Sequence, residues 1–203
     1  MNIEKIKKMK TEIIGKYILF FEEIDSTQKE AMRLINKKEI TNGTIIISKK
    51  QTDGVGTHGR KWITENNGNI AMTIVLFPKC NISKFKNLTV MVAKCIVETI
   101  KKLYKINLEI KEPNDIMYNN LKLGGILTQC KTNKEIVKQL VIGIGFNVNQ
   151  LQFPSEIQNI ATSLKKEFKN IEFVVEDIIN EFCEIFEEKF ILCTKRVRRT
   201  FLI

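Results

Sequence analysis

The order of strand and helix signals constrains this chain most. From Gly43 to Asn149, β-branched and apolar runs succeed one another: "GTIIISKK", "IAMTIVLF", "NLEIK", "IMY", "LKLGGILTQC" and "IVKQLVIGIGFNVN". One helical pattern interrupts them, over about residues 83 to 103, where Phe85, Leu88, Val92, Ile96, Ile100 and Leu103 recur near the 3.6-residue period. Two more helices flank the strand region. "STQKEAMRLINKK" follows the strand "YILFFEEI" and can be capped by Asp25, Ser26 or Thr27, and "VEDIINEFCEIFEEKFIL" closes the chain. Turns are expected at "NNGN", before "IAMTIVLF", and at Asn119-Asn120, which makes a hairpin of its flanking strands. Consecutive strands outnumber strand-helix alternations, so the fold class predicted is α+β with a mixed, largely antiparallel sheet packed with helices.

The 203 residues, 43% of them hydrophobic, can bury one core, or one domain with a small appendage, but not two full-sized domains. The formal charge of +10 would raise a nucleic-acid hypothesis. The excess is nearly all lysine spread along the chain, and only Lys195-Arg196-Val197-Arg198-Arg199 is dense, which reads as a solvated tail. Five cysteines, Cys80, Cys95, Cys130, Cys183 and Cys193, are an odd number without a C-x-x-C pair. They argue against a disulfide framework and a zinc site, and fit a reducing, cytoplasmic setting. No apolar run approaches the roughly 20 residues of a bilayer span. Lys16 interrupts the apolar stretch near the N-terminus and no small-residue cleavage site follows, which speaks against a secretory signal; an organellar leader stays open.

Residues 54 to 59, "GVGTHG", match G-x-G-x-x-G, the fingerprint of dinucleotide binding. That reading needs a helix opening at the third glycine, with its N–H groups on the pyrophosphate. Here Arg60, Lys61, Trp62 and a polar turn follow, with no helical periodicity and no strand-end acid about 20 residues on. A P-loop fails too, because no Lys-Ser/Thr follows the glycines. What remains is a loop of about fifteen residues between two strands, long for such a connection, with glycine freedom and the cations of Arg60 and Lys61. Such a loop can fold over an anionic ligand.

A second constellation adds weight to that reading. Lys111-Glu112-Pro113-Asn114-Asp115 sets a cation, an amide and a carboxylate on a corner. Lys122 opens "KLGGIL", and Gly143 and Gly145 interrupt an otherwise apolar strand that leads to Asn147. Glycines weaken strands, so three such places in one sheet imply backbone yielding space to something.

The segments "DST", "QTDGVGTHGRKW", "KEPND", "KLGGIL", "GIGFNVN" and "ATSL" (161 to 164) stand in the order and approximate spacing of one family. Over about residues 17 to 190 the chain resembles the catalytic domain of biotin-protein ligases. The resemblance implies two steps: biotin and ATP, with Mg²⁺, give biotinyl-5′-adenylate and pyrophosphate, and the biotinyl group passes to a lysine of a biotin carboxyl carrier domain. Composition and spacing alone carry none of that chemistry. Step one brings two anions together, and positioned cations are the natural device. By resemblance Lys122 stands near the biotin carboxylate and α-phosphate, Arg60 and Lys111 are further catalytic cations, and Asp115 orients or deprotonates the acceptor amine. The ureido ring has two donors and one acceptor on an apolar bicycle. The resemblance gives it Ser26, Thr27, Gln28 and Gln51, with Gly54, Val55, Gly56 and Thr57, alongside Lys122, Gly125, Gly143 and Gly145. Trp62, Asn114 and Asn147 join Arg60 at the adenylate. No protein metal ligand is implied.

Val55, Thr57 and His58 stand where the family loop has arginines, which implies a looser hold on the adenylate, and Glu112 replaces a customary tryptophan. His58 is not read as a base. Residues 1 to 190 are expected to form the catalytic domain, with 191 to 203 a tail or the start of a small β-barrel. An N-terminal DNA-binding domain has no room before Ser26, so DNA binding is not expected, nor is a membrane partner, while a homodimer is left open. The rival readings are a lipoate or octanoate ligase of the same superfamily and, on charge alone, a basic nucleic-acid-binding module.

Overall fold

The computed structural model describes residues 1–64 and 68–194. Seven strands form one sheet: β1 (Ile18–Ile24), β2 (Thr44–Gln51), β3 (Ile70–Leu76), β4 (Glu109–Lys111), β5 (Asp115–Tyr118), β6 (Leu121–Asn133) and β7 (Ile136–Phe146). Their order is β1-β2-β3-β7-β6-β5-β4. Only β1 and β2 run parallel; every other neighbouring pair is antiparallel. Five helices accompany the sheet: α1 (Ile3–Ile6), α2 (Thr27–Lys37), α3 (Leu88–Tyr104), α4 (Leu164–Glu167) and α5 (Val175–Thr194). This is the α+β, largely antiparallel architecture that the order of signals predicts.

Strand alternation divides the sheet into two unlike faces. On one, Ile70, Met72 and Ile74 of β3 and Ile142, Ile144 and Phe146 of β7 meet Val92, Ile96 and Ile100 of α3 and Phe182 and Phe186 of α5, all buried. On the other, Val141 of β7, Val75 of β3 and Ile46 of β2 meet Ala31 and Ile35 of α2. Because α2 is short and contacts β2, β3 and β7, the glycine-bearing ends of β6 and β7 on that face are left for the site.

Local chemistry sets the boundaries. Ser26 caps α2 through its side chain, and α2 ends at Lys38 in the left-handed region (φ 60°). Asn119 (φ 48°) and Asn120 (φ 63°) make the tight turn between β5 and β6, a conformation that asparagine tolerates. The stretch expected to be helical from about 83 opens as a 3₁₀ turn, Ile82–Phe85, and α3 starts only at Leu88. Phe85 is nonetheless buried and stacks on Phe190 at 6.0 Å. α1 and α4, of four residues each, are too short for periodicity to reveal. α5 continues to Thr194, past the boundary expected at 190. Residues 195–203 of the expected tail, and Asn66 and Asn67 of the expected turn, lie outside the described residues. No helix among the described residues is long and apolar enough to cross a membrane.

Residues 2 to 14 lie along α5, held by its polar side chains. Glu176 accepts from the Asn2 N–H (2.5 Å), Asn180 donates to the Lys5 carbonyl (2.9 Å), and Glu184 accepts from the Lys10 N–H (2.8 Å). The buried Glu187 carboxylate accepts from the N–H groups of Glu12 (2.5 Å), Ile13 (2.9 Å) and Ile14 (2.7 Å).

Candidate active site

The floor of the site is a patch of missing side chains. Gly125 of β6 lies opposite Gly145 of β7, and Gly143 lies opposite Thr73 of β3 and Leu127 of β6. A Cβ on Gly145 would sit 2.6 Å from Trp62 Nε1, and one on Gly125 would sit 3.3 Å from both Trp62 Cζ3 and Lys122 Cε. The backbone therefore yields space first to the protein's own indole.

Trp62 is brought there by the loop after β2. Gln51 bridges Thr64 and Val55 bridges Lys61, the Trp62 N–H donates to the Gly54 carbonyl (2.9 Å), and the Gly56 N–H donates to the Arg60 carbonyl (2.7 Å). The segment is thus a narrow curl folded against the sheet. Gly54 is required at its neck, since a Cβ there would meet the Trp62 carbonyl and, at 2.9 Å, Gln51 Nε2. Two cavities adjoin along this curl, sharing Gly56, Thr57, Trp62 and Lys122 in their walls. The first, about 430 Å³, reaches Thr27, Gln51, Asn114 and the three floor glycines. The second, about 770 Å³, is more apolar, with Phe153, Ile157, Ile160 and Ala161 opposite Arg60, Lys61 and Asn147.

The far end of the first cavity is polar and anchored by α2. Gln51 Oε1 accepts from both the N–H (2.8 Å) and the hydroxyl (3.1 Å) of Thr27. Buried Thr73 donates to Thr27 Oγ1 (2.9 Å) and lies 3.3 Å from Gln28 Oε1, while Gln28 Nε2 donates to Gln129 Oε1 (2.9 Å). The corner that presents Thr27 is held by Asp25, which accepts from the Ser26 N–H (2.7 Å) and pairs with both terminal nitrogens of Arg33 (2.7 and 2.8 Å). The Arg33 guanidinium and the Ser26 N–H together hold the Asp25 carboxyl well below the usual range, at about 2, against the opposing effect of burial.

Where the cavities meet stands Lys122, paired with Asp115 at 2.6 Å and 5.9 Å from the Trp62 ring centroid. Its direction comes from a bulge. Ile116 pairs with Gly124 but Met117 with Lys122, which leaves Leu123 extra on β6. In a regular strand residues 122 and 125 point to opposite faces; the bulge sends Leu123 into the core and brings Lys122 to the side of Gly125.

Most of the expected site residues converge here. Thr27, Gln51, Val55, Asn114, Gly125, Gly143 and Gly145 line the first cavity, Arg60 and Asn147 the second, and Gly56, Thr57, Trp62 and Lys122 both. Gln28 lies over the floor on the α2 side, with Oε1 2.6 Å from where a Gly143 Cβ would stand, and lines neither cavity. Ser26 is fully buried as the α2 cap, so it acts on the helix and lines neither cavity. Lys111, Glu112 and His58 are exposed and also line neither. Thr73 was not foreseen, because a threonine in a β-branched strand carries no signal beyond strand propensity. Phe153, Ile157 and Ile160 belong to a stretch without periodicity, and only the neighbouring "ATSL" pointed there.

Known proteins resemble this chain in sequence and in fold. Residues 20–147 match the model of the biotin/lipoate A/B protein ligase family. The Bifunctional ligase/repressor BirA of Bacillus subtilis is 37% identical over 160 residues, 78% of this chain and 49% of that protein. The Biotin--protein ligase of Homo sapiens is 29% identical over 175 residues, 83% of this chain and 24% of that protein. The chain thus spans about half the length of its Bacillus relative. Among solved structures, biotin protein ligase from Aquifex aeolicus in complex with biotin and ATP superposes with a TM-score of 0.69 at 28% identity, covering 86% of this chain and 72% of that one.

Proposed function

Because this chain belongs to the biotin/lipoate A/B protein ligase family, we propose that it is an ATP-dependent biotin-protein ligase, with biotin in the first cavity and the adenylate moiety in the second. The observation that carries this reading is the meeting of the two cavities at Lys122, with hydrogen-bonding groups at the far end of one and apolar side chains along the other.

Biotin's carboxylate oxygen attacks the α-phosphorus as the bond to pyrophosphate breaks, so both reactants are anions and negative charge accumulates between the cavities. Lys122 is the cation at that junction. Its pairing with Asp115 holds the ammonium in place before substrate arrives. Arg60 and Lys61, on the rim of the second cavity, supply further positive charge. Lys111, exposed and away from both cavities, acts at most through the field of the site. In the second step the acceptor lysine amine attacks the mixed-anhydride carbonyl carbon and AMP leaves. Asp115 is the carboxylate nearest the junction to receive or orient the amine's proton. Mg²⁺ accompanying ATP would add positive charge at the phosphates beside Arg60, Lys61 and Lys122.

The Thr27–Gln51 end favours biotin over lipoate and octanoate, because a cyclic urea can hydrogen-bond to those groups while a dithiolane or an alkyl end cannot. The partner is then the biotin carboxyl carrier domain. Five free cysteines support a reducing location such as the cytoplasm. The test is pyrophosphate release with biotin, lipoate and octanoate in parallel, followed by labelling of a carrier domain. Biotin alone is expected to stimulate release and to label the carrier; stimulation by lipoate or octanoate instead would overturn the assignment.

A further inference from the structure

The hydroxyl of Thr73 lines neither cavity, yet its single proton has two acceptors: Thr27 Oγ1 at 2.9 Å and Gln28 Oε1 at 3.3 Å. The Gln28 amide is oriented by its own donation to Gln129, so its oxygen faces Thr73. Two complete arrangements follow from counting protons. In the first, Thr73 donates to Thr27, and Thr27 donates to Gln51 Oε1, which already holds the Thr27 N–H, so both lone pairs of Gln51 are taken. In the second, Thr73 donates to Gln28 and Thr27 turns its proton back to Thr73. Gln51 Oε1 then keeps one free lone pair, and Thr27 Oγ1, having given its proton inward, offers lone pairs as well. Each arrangement makes two hydroxyl hydrogen bonds, so little free energy separates them.

The two arrangements present different faces to the first cavity. In the first only Thr27 can accept a ligand N–H. In the second Thr27 Oγ1 and Gln51 Oε1 can each accept one, while Gln51 Nε2, whose contact with Thr64 Oγ1 is long at 3.5 Å, can donate to a carbonyl. Two acceptors and one donor complement a cyclic urea.

We propose that Thr73 is a positioning residue for ligand selection: by handing its proton from Thr27 to Gln28, it converts the polar end of the first cavity into a receptor for two N–H groups. This rests on the biotin reading above. Thr73→Val keeps the branched shape and removes the proton, fixing Thr27 as donor to Gln51; Thr73→Ser restores it. The readouts are the KM values for biotin and ATP in pyrophosphate release, together with competition between biotin and its cyclic carbamate analogue, in which oxygen replaces one ring N–H. Thr73→Val is expected to raise the KM for biotin about tenfold, leave the KM for ATP within about twofold, and shrink the preference for biotin over the carbamate about tenfold, with Thr73→Ser close to wild type. Gln28→Met removes the alternative acceptor and is expected to act in the same direction, which keeps the test available if the valine variant does not fold. An unchanged KM for biotin, or a parallel rise in both KM values that serine does not rescue, overturns the inference. A wild-type chain that ignores biotin fails the underlying reading, whereas an active wild type with indifferent variants fails only this one.

Discussion

Lys122 is where the site depends most on a single side chain. Its ammonium stands where the two cavities meet, and the bulge at Leu123 is what brings it to that side of β6. Lys122→Met, similar in length but neutral, is expected to lower biotin-dependent pyrophosphate release by about a hundredfold or more while leaving the melting temperature nearly unchanged, as seen by single-turnover kinetics beside a thermal melt. Asp25 offers a pH-dependent test of the α2 corner. Its carboxyl is held at about 2 by Arg33 and the Ser26 N–H, against about 3.9 when unfolded. A depressed carboxyl stabilises the fold above its unfolded value and loses that contribution as pH falls through the folded one. Asp25→Asn is therefore expected to melt below wild type at pH 7, by no more than about 1 kcal/mol because the pair is partly exposed, with the gap closing below about pH 4. Melting curves from pH 7 to pH 3 would read this, and a gap that widens in acid would contradict it. Lys122, Thr27 and Gln51 were legible because their neighbours in sequence form recognisable motifs. Thr73 was not, since its meaning comes from residues about 45 positions away that share its proton.

Among the elements, β7 and the curl after β2 act as a pair. Interior glycines in β7 were legible as places where backbone gives way, but what occupies the space was not, because Trp62 reaches it only once the curl has folded. Gly145→Ala drives a methyl into the indole, whereas Gly125→Ala meets Lys122 Cε and Trp62 Cζ3 at a tight 3.3 Å that needs a shift of only a few tenths of an ångström. The first is expected to displace Trp62, raising the KM for both biotin and ATP several-fold and changing the tryptophan emission; the second is expected to do clearly less. Since Trp62 is the chain's one tryptophan, its emission reports this directly. The curl carries a second expectation. Val55 and Thr57 line the first cavity where the family pattern has arginines, so on the proposed reading these two positions add no charge for holding the intermediate, which is left to Arg60 and Lys61. Arginine at both positions is expected to slow release of biotinyl-adenylate to solvent several-fold in a single-turnover assay; an unchanged rate would show that charge in the curl does not govern retention.

At the scale of the whole molecule, the α+β class and its largely antiparallel sheet follow from patterns visible in the chain, but the strand order and the fastening of its beginning to its end do not. Residues 2 to 14 carry no periodicity and read as a basic start. Their partners, Glu176, Asn180, Glu184 and Glu187, read as the polar side of an amphipathic helix some 175 residues later. Backbone N–H groups are donors whatever the side chain, so no residue pattern marks the segment that will use those acceptors. Glu187 is the sharpest case, a carboxylate only 5% exposed that takes three consecutive N–H groups just ahead of β1, the edge strand that runs into the Asp25 corner. Glu187→Ala leaves those donors unpaired in a buried place, and is expected to cost about 2 to 3 kcal/mol, or several degrees in melting temperature for a chain of this size. Glu187→Gln keeps an acceptor and is expected to lose less. Because α5 packs on the sheet face opposite the glycine floor, the KM values for biotin and ATP are expected to stay near wild type below the melting transition. Amide hydrogen exchange at Glu12 to Ile14 would locate the loss, and protection retained there in Glu187→Ala would mean that packing, not the carboxylate, holds the segment in place.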